Sequence, residues 1–298
     1  MRASILDTLF ATMAQDERIF FLTADMGINL VERFEQAYPK RFLNVGIAEQ
    51  NMIGVAAGLV NAGFRPFAYT ISNFLIHRAL EQIRNDILLH QYPVVLLGTS
   101  AGWDNAPLGP THHILDDWGT LAGLGSGIDI YCPSSKNYAA ALVPRLIAGG
   151  RPAYVRIAKS SALPESPEGD FFHLEGDPAA PLLIGYGTTT VTLLEVHEQR
   201  PETGVLILQK LSPCDCLDLG PILTQYSRAI VVEDHFAHSG IHAALCRQAM
   251  QKGWPVKLES AAPTHYSLTV SPNENGYFGR FGMSVQALRE RAAPNVIS

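Results

Sequence analysis

Cysteine is scarce in this 298-residue chain: Cys132, Cys214, Cys216 and Cys246 are too few and too scattered for a disulfide framework or a four-thiolate zinc site. Positive charge is in deficit as well. Twenty-two Lys and Arg face 28 Asp and Glu, a formal charge of −6, so no surplus remains to neutralise a phosphate backbone or an anionic membrane. Neither nucleic acid nor membrane is an expected partner. Charged residues of both signs make up 17%, against about 25% in an average globular domain. Much of the chain should therefore be buried, some of it against another chain. No stretch reaches the ~18 consecutive apolar residues of a membrane span, and Met1-Arg2-Ala3-Ser4 leads straight into an amphipathic pattern. A cytoplasmic location is expected.

Short β-branched and aromatic runs alternate with segments of helical period, which predicts an α/β fold built as two doubly wound domains. Strands are expected at Ile19 to Thr23, Arg65 to Thr70, Val94 to Thr99, Asp129 to Cys132 and Ala153 to Arg156. Helices are expected at Ala48 to Ala62, Phe74 to His90 and Ser135 to Ala148, after a leading helix with Ile5, Leu6, Leu9, Phe10 and Met13 on one face. Residues 164–181 hold four prolines, two glycines and five acids but no lysine or arginine, the composition of a linker. Beyond it, Leu182 to Tyr186, Gly204 to Leu208, Ala229 to Glu233 and Val256 to Glu259 read as strands of a second domain. The division is thus 1–163, a linker at 164–181, and 182–298.

Several residue types stand where chemistry is favoured. Glu49 in Val45-Gly46-Ile47-Ala48-Glu49-Gln50 opens a helix among apolar and small neighbours, so its carboxylate needs a hydrogen-bonding partner. Gly54 and Gly58 later in that helix suit close backbone approach. Phe74, Arg78 and Arg84 lie on the next helix, where Arg78 is three residues before Glu81 and spaced to pair with it. His112 and His113 end a Gly/Asn/Pro-rich loop beyond the strand at Val94 to Thr99, on the edge of an α/β sheet where ligands bind. Arg156 closes an apolar run and calls for an anion. His235, His238 and His242 mimic a metal-ligand row, but Ser239-Gly240 looks like the turn before a helix and would break their common face. No metal site is assigned to this chain.

Taken in order, VGIAEQ at 45–50, NFLIHRALEQIRND at 73–86 and GPTHH at 109–113 resemble the thiamine-diphosphate-dependent transketolase family, including 1-deoxyxylulose-5-phosphate synthases and, above all, the carboxyl-terminal subunits of split transketolases. Val231-Val232-Glu233-Asp234-His235 is similar to that family's third domain. The resemblance implies a pyrimidine-binding domain followed by the transketolase carboxyl-terminal domain. It implies that Glu49 meets the aminopyrimidine ring and promotes its imino tautomer, which removes the thiazolium proton. It further implies that Phe74 stacks on that ring, that Asp25 and Arg78 join the cofactor site, that His112 handles substrate hydroxyls, and that Arg156 holds a sugar phosphate.

Two departures shape the expected function. Pro107-Leu108 stands where the family often has Glu-Asp before Gly-x-Thr-His, so donor and acceptor are expected to be unusual. The family's Gly-Asp-Gly motif for magnesium and diphosphate does not occur. A separate amino-terminal subunit is therefore expected to hold Mg2+ and the diphosphate, with two copies of each chain in an α2β2 assembly. The alternatives are the β subunit of a 2-oxo-acid dehydrogenase decarboxylating component, or a scaffold subunit that kept the fold without the chemistry.

Overall fold

The computed structural model describes residues 1–27, 29–125, 127–158, 163–212 and 217–293. Among the described residues twelve strands form two sheets. The first carries β1 (Ile19–Thr23), β2 (Phe42–Asn44), β3 (Arg65–Ile71), β4 (Val95–Thr99), β5 (Asp129–Tyr131), β6 (Ala153–Ile157) and β10 (Lys210–Ser212) in the order β10-β5-β6-β4-β3-β1-β2. Every pairing in it is parallel except β10 with β5. The second has the order β12-β11-β8-β9-β7, from β7 (Phe171–Leu174), β8 (Leu182–Gly185), β9 (Gly204–Leu208), β11 (Arg228–Val232) and β12 (Lys257–Ala261), with only β7 antiparallel. Strands β4, β6, β8 and β9 are buried at every residue. That is why they read as unbroken apolar runs: helices cover both faces of a parallel sheet.

The expected α/β class and two-sheet plan are present, but the domains interlock. Residues 164–181 do not simply link them. Phe171–Leu174 pairs with β9, and the Gln209 amide donates to the carbonyls of Pro167 and Gly169, both at 2.9 Å. Immediately after β9 the chain crosses to the first sheet, where Lys210 faces Tyr131, so the second domain supplies an edge strand to the first. One apolar cluster accordingly runs from Leu96 and Tyr154 through Cys132 to Ile184 and Leu206. Pro213 to Cys216, including the Cys214–Cys216 pair, lie outside the described residues.

Parallel strands put all their carboxyl ends on one edge, and the chain leaves that edge at Thr23, Asn44, Ile71, Thr99 and Ile157. The helix expected over Phe74 to His90 is instead a broken one, with π-helical turns at Phe74–Arg78 and Ile83–Leu88 around a short α-helical piece at Leu80–Gln82. Such wide turns are rare and cluster at functional sites, because they re-aim side chains without ending the helix. Gly54 and Gly58 lie on the open side of the helix Glu49–Asn61, with nothing within 4 Å of an added Cβ, so no close approach among the described residues requires them.

Candidate active site

The carboxyl ends of β2, β3 and β4 gather the three motifs. Asn44 ends β2, and its Oδ1 accepts from the backbone N–H groups of Asp25 at 2.9 Å and Gly46 at 3.0 Å. One side chain thus ties the exit of β1 to the turn that leads into Glu49. Gly46 takes φ +77 in that turn, a conformation that costs glycine little. Asp25 takes φ +47 and is exposed, its carboxylate 3.4 Å from Asn44 Nδ2. It occupies the same edge as Glu49, on the far side of the Asn44 staple.

Glu49 begins its helix at 3% exposure. Its two oxygens accept from Arg78 Nη1 at 3.2 and 3.1 Å, and the Arg78 guanidinium carbon lies 3.9 Å from the centroid of the Phe74 ring. The π turn brings this about by carrying Phe74 and Arg78 on one wall. Arg78 therefore pairs with Glu49, where the helix spacing alone favoured Glu81. The His112 imidazole meets the Phe74 ring edge to face at 5.2 Å. The loop holding it turns at Gly109, φ +75, into a short 3₁₀ turn at Pro110–His112. Glu49, Phe74, Arg78 and His112 are one constellation.

Arg156 is not part of it. Its side chain is 1% exposed and fully engaged: Nε donates to Asp117 Oδ2 at 2.9 Å, Nη1 to Asp234 Oδ2 at 3.1 Å and Nη2 to the Ile114 carbonyl at 3.4 Å. A phosphate would have to displace two carboxylates from the buried interior, so the expectation of a phosphate-gripping Arg156 is corrected. Its place is between the domains. Asp117 also accepts from Tyr154 at 2.8 Å and lies 2.5 Å from His235 Nε2. Burial alone would raise the Asp117 pKa, yet the neighbouring Arg156 and His235 hold it well below the ordinary carboxylate range. Glycine is mandatory beside this cluster: a Cβ on Gly102, φ +60, would sit 1.9 Å from Asp234 Oδ2.

The histidine row is likewise resolved. His235 is buried beside Asp117 and Tyr186. The helix begins only at Ile241, with its first N–H groups held by Glu233 at 2.7 and 3.0 Å, so the three histidines share no helix face.

Two anchoring features escaped the sequence reading. Trp103, from the loop after β4, is buried in the second domain, stacked at 5.2 Å on Tyr277 and 5.5 Å on Phe281. The adjacent acids Asp116 and Asp117 point opposite ways: Asp117 into the buried cluster, and Asp116 outward to His77 Nε2 at 3.0 Å and to the Tyr266 hydroxyl at 3.2 Å. A cleft of about 570 Å³ opens beyond Asp116 and Tyr266, lined also by Thr120, Phe236, His238 and His265. The only available signal was the Asp-Asp pair closely following GPTHH.

A buried carboxylate, an aromatic face and a loop histidine on the carboxyl edge of a parallel sheet make a site suited to a planar, nitrogenous ring. Residues 1–164 match the family model described as transketolase, pyrimidine binding domain. The chain belongs to the transketolase family. It is 28% identical over 303 residues to one of the subunits of the apulose-4-phosphate transketolase of Phocaeicola vulgatus, covering 98% of this chain and 96% of that one. It is 29% identical to a 6-deoxy-6-sulfo-D-fructose transketolase subunit of a Clostridium species, covering 88% and 76%. Among solved structures it resembles a split-gene transketolase described as an inactive beta4 tetramer, with a TM-score of 0.83 at 24% identity over 98% of this chain and 97% of that one. The transketolase of Campylobacter jejuni gives 0.79 at 17% identity, and only 46% of that longer chain is covered.

Proposed function

We propose that this chain is the carboxyl-terminal subunit of a two-component, thiamine-diphosphate-dependent transketolase that moves a two-carbon ketol unit between phosphorylated sugar-like substrates. The observation that carries this reading is the constellation itself, the buried Glu49 joined through Arg78 to the Phe74 ring, with His112 packed against that ring. End-to-end similarity to a chain that is itself one subunit of a transketolase supports the two-component form.

The residues fit the pyrimidine end of the cofactor. Glu49 is a shielded carboxyl, able to share a proton with a ring nitrogen. Phe74 supplies the face and excludes water; Arg78, half-exposed, can leave Glu49 without crossing the core. His112, on the rim, can hold or move a proton at a substrate hydroxyl. When bound, thiamine diphosphate supplies the carbon nucleophile and the electron sink for the ketol unit. Among the described residues no group of three or more His, Cys, Asp and Glu is placed to hold a metal ion. Because Gly-Asp-Gly does not occur in this sequence, Mg2+ and the diphosphate are assigned to an amino-terminal partner subunit in a cytoplasmic α2β2 assembly.

Calorimetry of this chain with magnesium and thiamine diphosphate, repeated after mixing with an amino-terminal subunit carrying Gly-Asp-Gly, is the test. The expected result is weak binding and no ketol transfer for the chain alone, and both restored in the mixture. Micromolar binding with turnover by the isolated chain overturns the two-component reading.

A further inference from the structure

His77 stands between two acceptors. Its Nε2 lies 3.0 Å from Asp116 Oδ1 and its Nδ1 2.6 Å from Asn73 Oδ1. The Asn73 amide orientation is set by its other end, where Nδ2 donates to the Thr111 carbonyl at 2.6 Å, which leaves only Oδ1 to face His77. A neutral imidazole donates from one nitrogen; satisfying both acceptors takes the imidazolium. The chain of contacts runs from Tyr266 in the second domain through Asp116, His77 and Asn73 to Thr111, the residue before His112.

We propose that His77 is a positioning residue of the active site: as a cation bridging Asp116 and Asn73, it fixes Asn73 on the Thr111 carbonyl and so holds His112 against Phe74. This rests on the transketolase reading for its kinetic consequence but not for its protonation. Asp116 raises the His77 pKa through the hydrogen bond and its charge, with a smaller contribution from Asp117 and against the effect of burial. The Tyr266 hydroxyl shares Asp116 Oδ1 and stays protonated, its pKa pushed up by burial. Arg78 follows His77 on the same turn, and His112 lies across the Asn73–Thr111 bond. As the pH rises through the His77 pKa, one of the two bonds loses its donor and His112 loses its register.

The test has two arms on the full chain. In the first, histidine 13C NMR follows the His77 imidazole, assigned by its loss in His77→Gln. The expected midpoint lies above the ~6.5 of a free imidazole, and Asp116→Asn moves it down. A midpoint at or below that value, or one indifferent to Asp116→Asn, overturns the proposal. In the second, the chain is reconstituted with partner and cofactor and kcat is measured against pH. His77→Gln is expected to lower kcat about 10- to 100-fold, the cost of a small misplacement, and His77→Lys to recover part of it with the alkaline limb moved upward. Early melting with an unmoved limb makes His77 structural and overturns the proposal. Absence of turnover in the reconstituted wild type strikes the transketolase reading instead, and the NMR arm still decides the state of His77.

Discussion

The guanidinium of Arg156 donates to Asp117 across 2.9 Å with neither side chain in solvent, while the same arginine reaches Asp234 at 3.1 Å. Arg156 and Asp117 belong to the first domain and Asp234 to the second, so this arginine closes the interface between them. Removing one partner from a buried pair leaves an uncompensated charge, which costs about 3–5 kcal/mol. Arg156→Ala is expected to lower stability by that order in urea titration. Turnover with phosphorylated and unphosphorylated substrates should fall alike. A native melt with a selective rise in KM for the phosphorylated substrate would restore Arg156 to the phosphate.

Glu49→Gln keeps the shape of the buried group and one acceptor for Arg78, so the fold should survive. The amide cannot exchange a proton with the pyrimidine nitrogen. Hydrogen–deuterium exchange at the thiazolium carbon in the reconstituted complex is expected to slow by roughly 10²–10⁴, the range of general acid–base catalysis. Wild-type exchange in the variant would remove Glu49 from its role.

The two loop histidines should separate by kind of damage. His112 is half-buried on the rim beside Phe74, whereas His113 is 1% exposed and packs edge to face on Tyr277 at 5.2 Å. His112→Ala should lower kcat by roughly 10²–10⁴ with cofactor binding nearly intact. His113→Ala should cost about 1–3 kcal/mol of stability.

Burial also lowers the His113 pKa. Between its folded value and the ~6.5 of the unfolded chain, the unfolded state binds more protons, so stability falls as the pH drops through this window. His113→Phe should flatten the dependence of Tm on pH between about 5 and 7. An unchanged slope would assign the acid sensitivity elsewhere.

How much of this was legible follows from the range of each interaction. Gly204–Leu208 and Ile19–Thr23 were readable because two-sided burial writes itself as an apolar run. Phe42–Asn44, Phe171–Leu174 and Lys210–Ser212 were not, since edge strands of three or four residues, incompletely buried, carry no periodicity. Glu49 stood out as an acid among small residues. Arg156 signalled the need for an anion correctly, but its partners lie 39 and 78 residues away, and no local pattern tells a carboxylate across a domain interface from a substrate phosphate. His77 was hidden because its role depends on two acceptors brought together by a π turn and a distant loop.

Trp103 offers the most direct check that the second domain holds the first domain's loop. Its indole lies nearly parallel to both Tyr277 and Phe281, at 8° and 5°, with the GPTHH loop beginning six residues on. Trp103→Ala empties that stack and should cost about 3–5 kcal/mol, the range for large aromatic truncations. Because the loop also carries His112, kcat should fall further than stability alone explains at temperatures where the variant remains folded. Trp103→Phe keeps an aromatic against the two rings and should recover most of both. The measurements are thermal melts of the full chain and kcat of the reconstituted complex well below the melting point. If Trp103→Ala loses stability but keeps wild-type kcat, the stack holds the domains together without setting the position of His112.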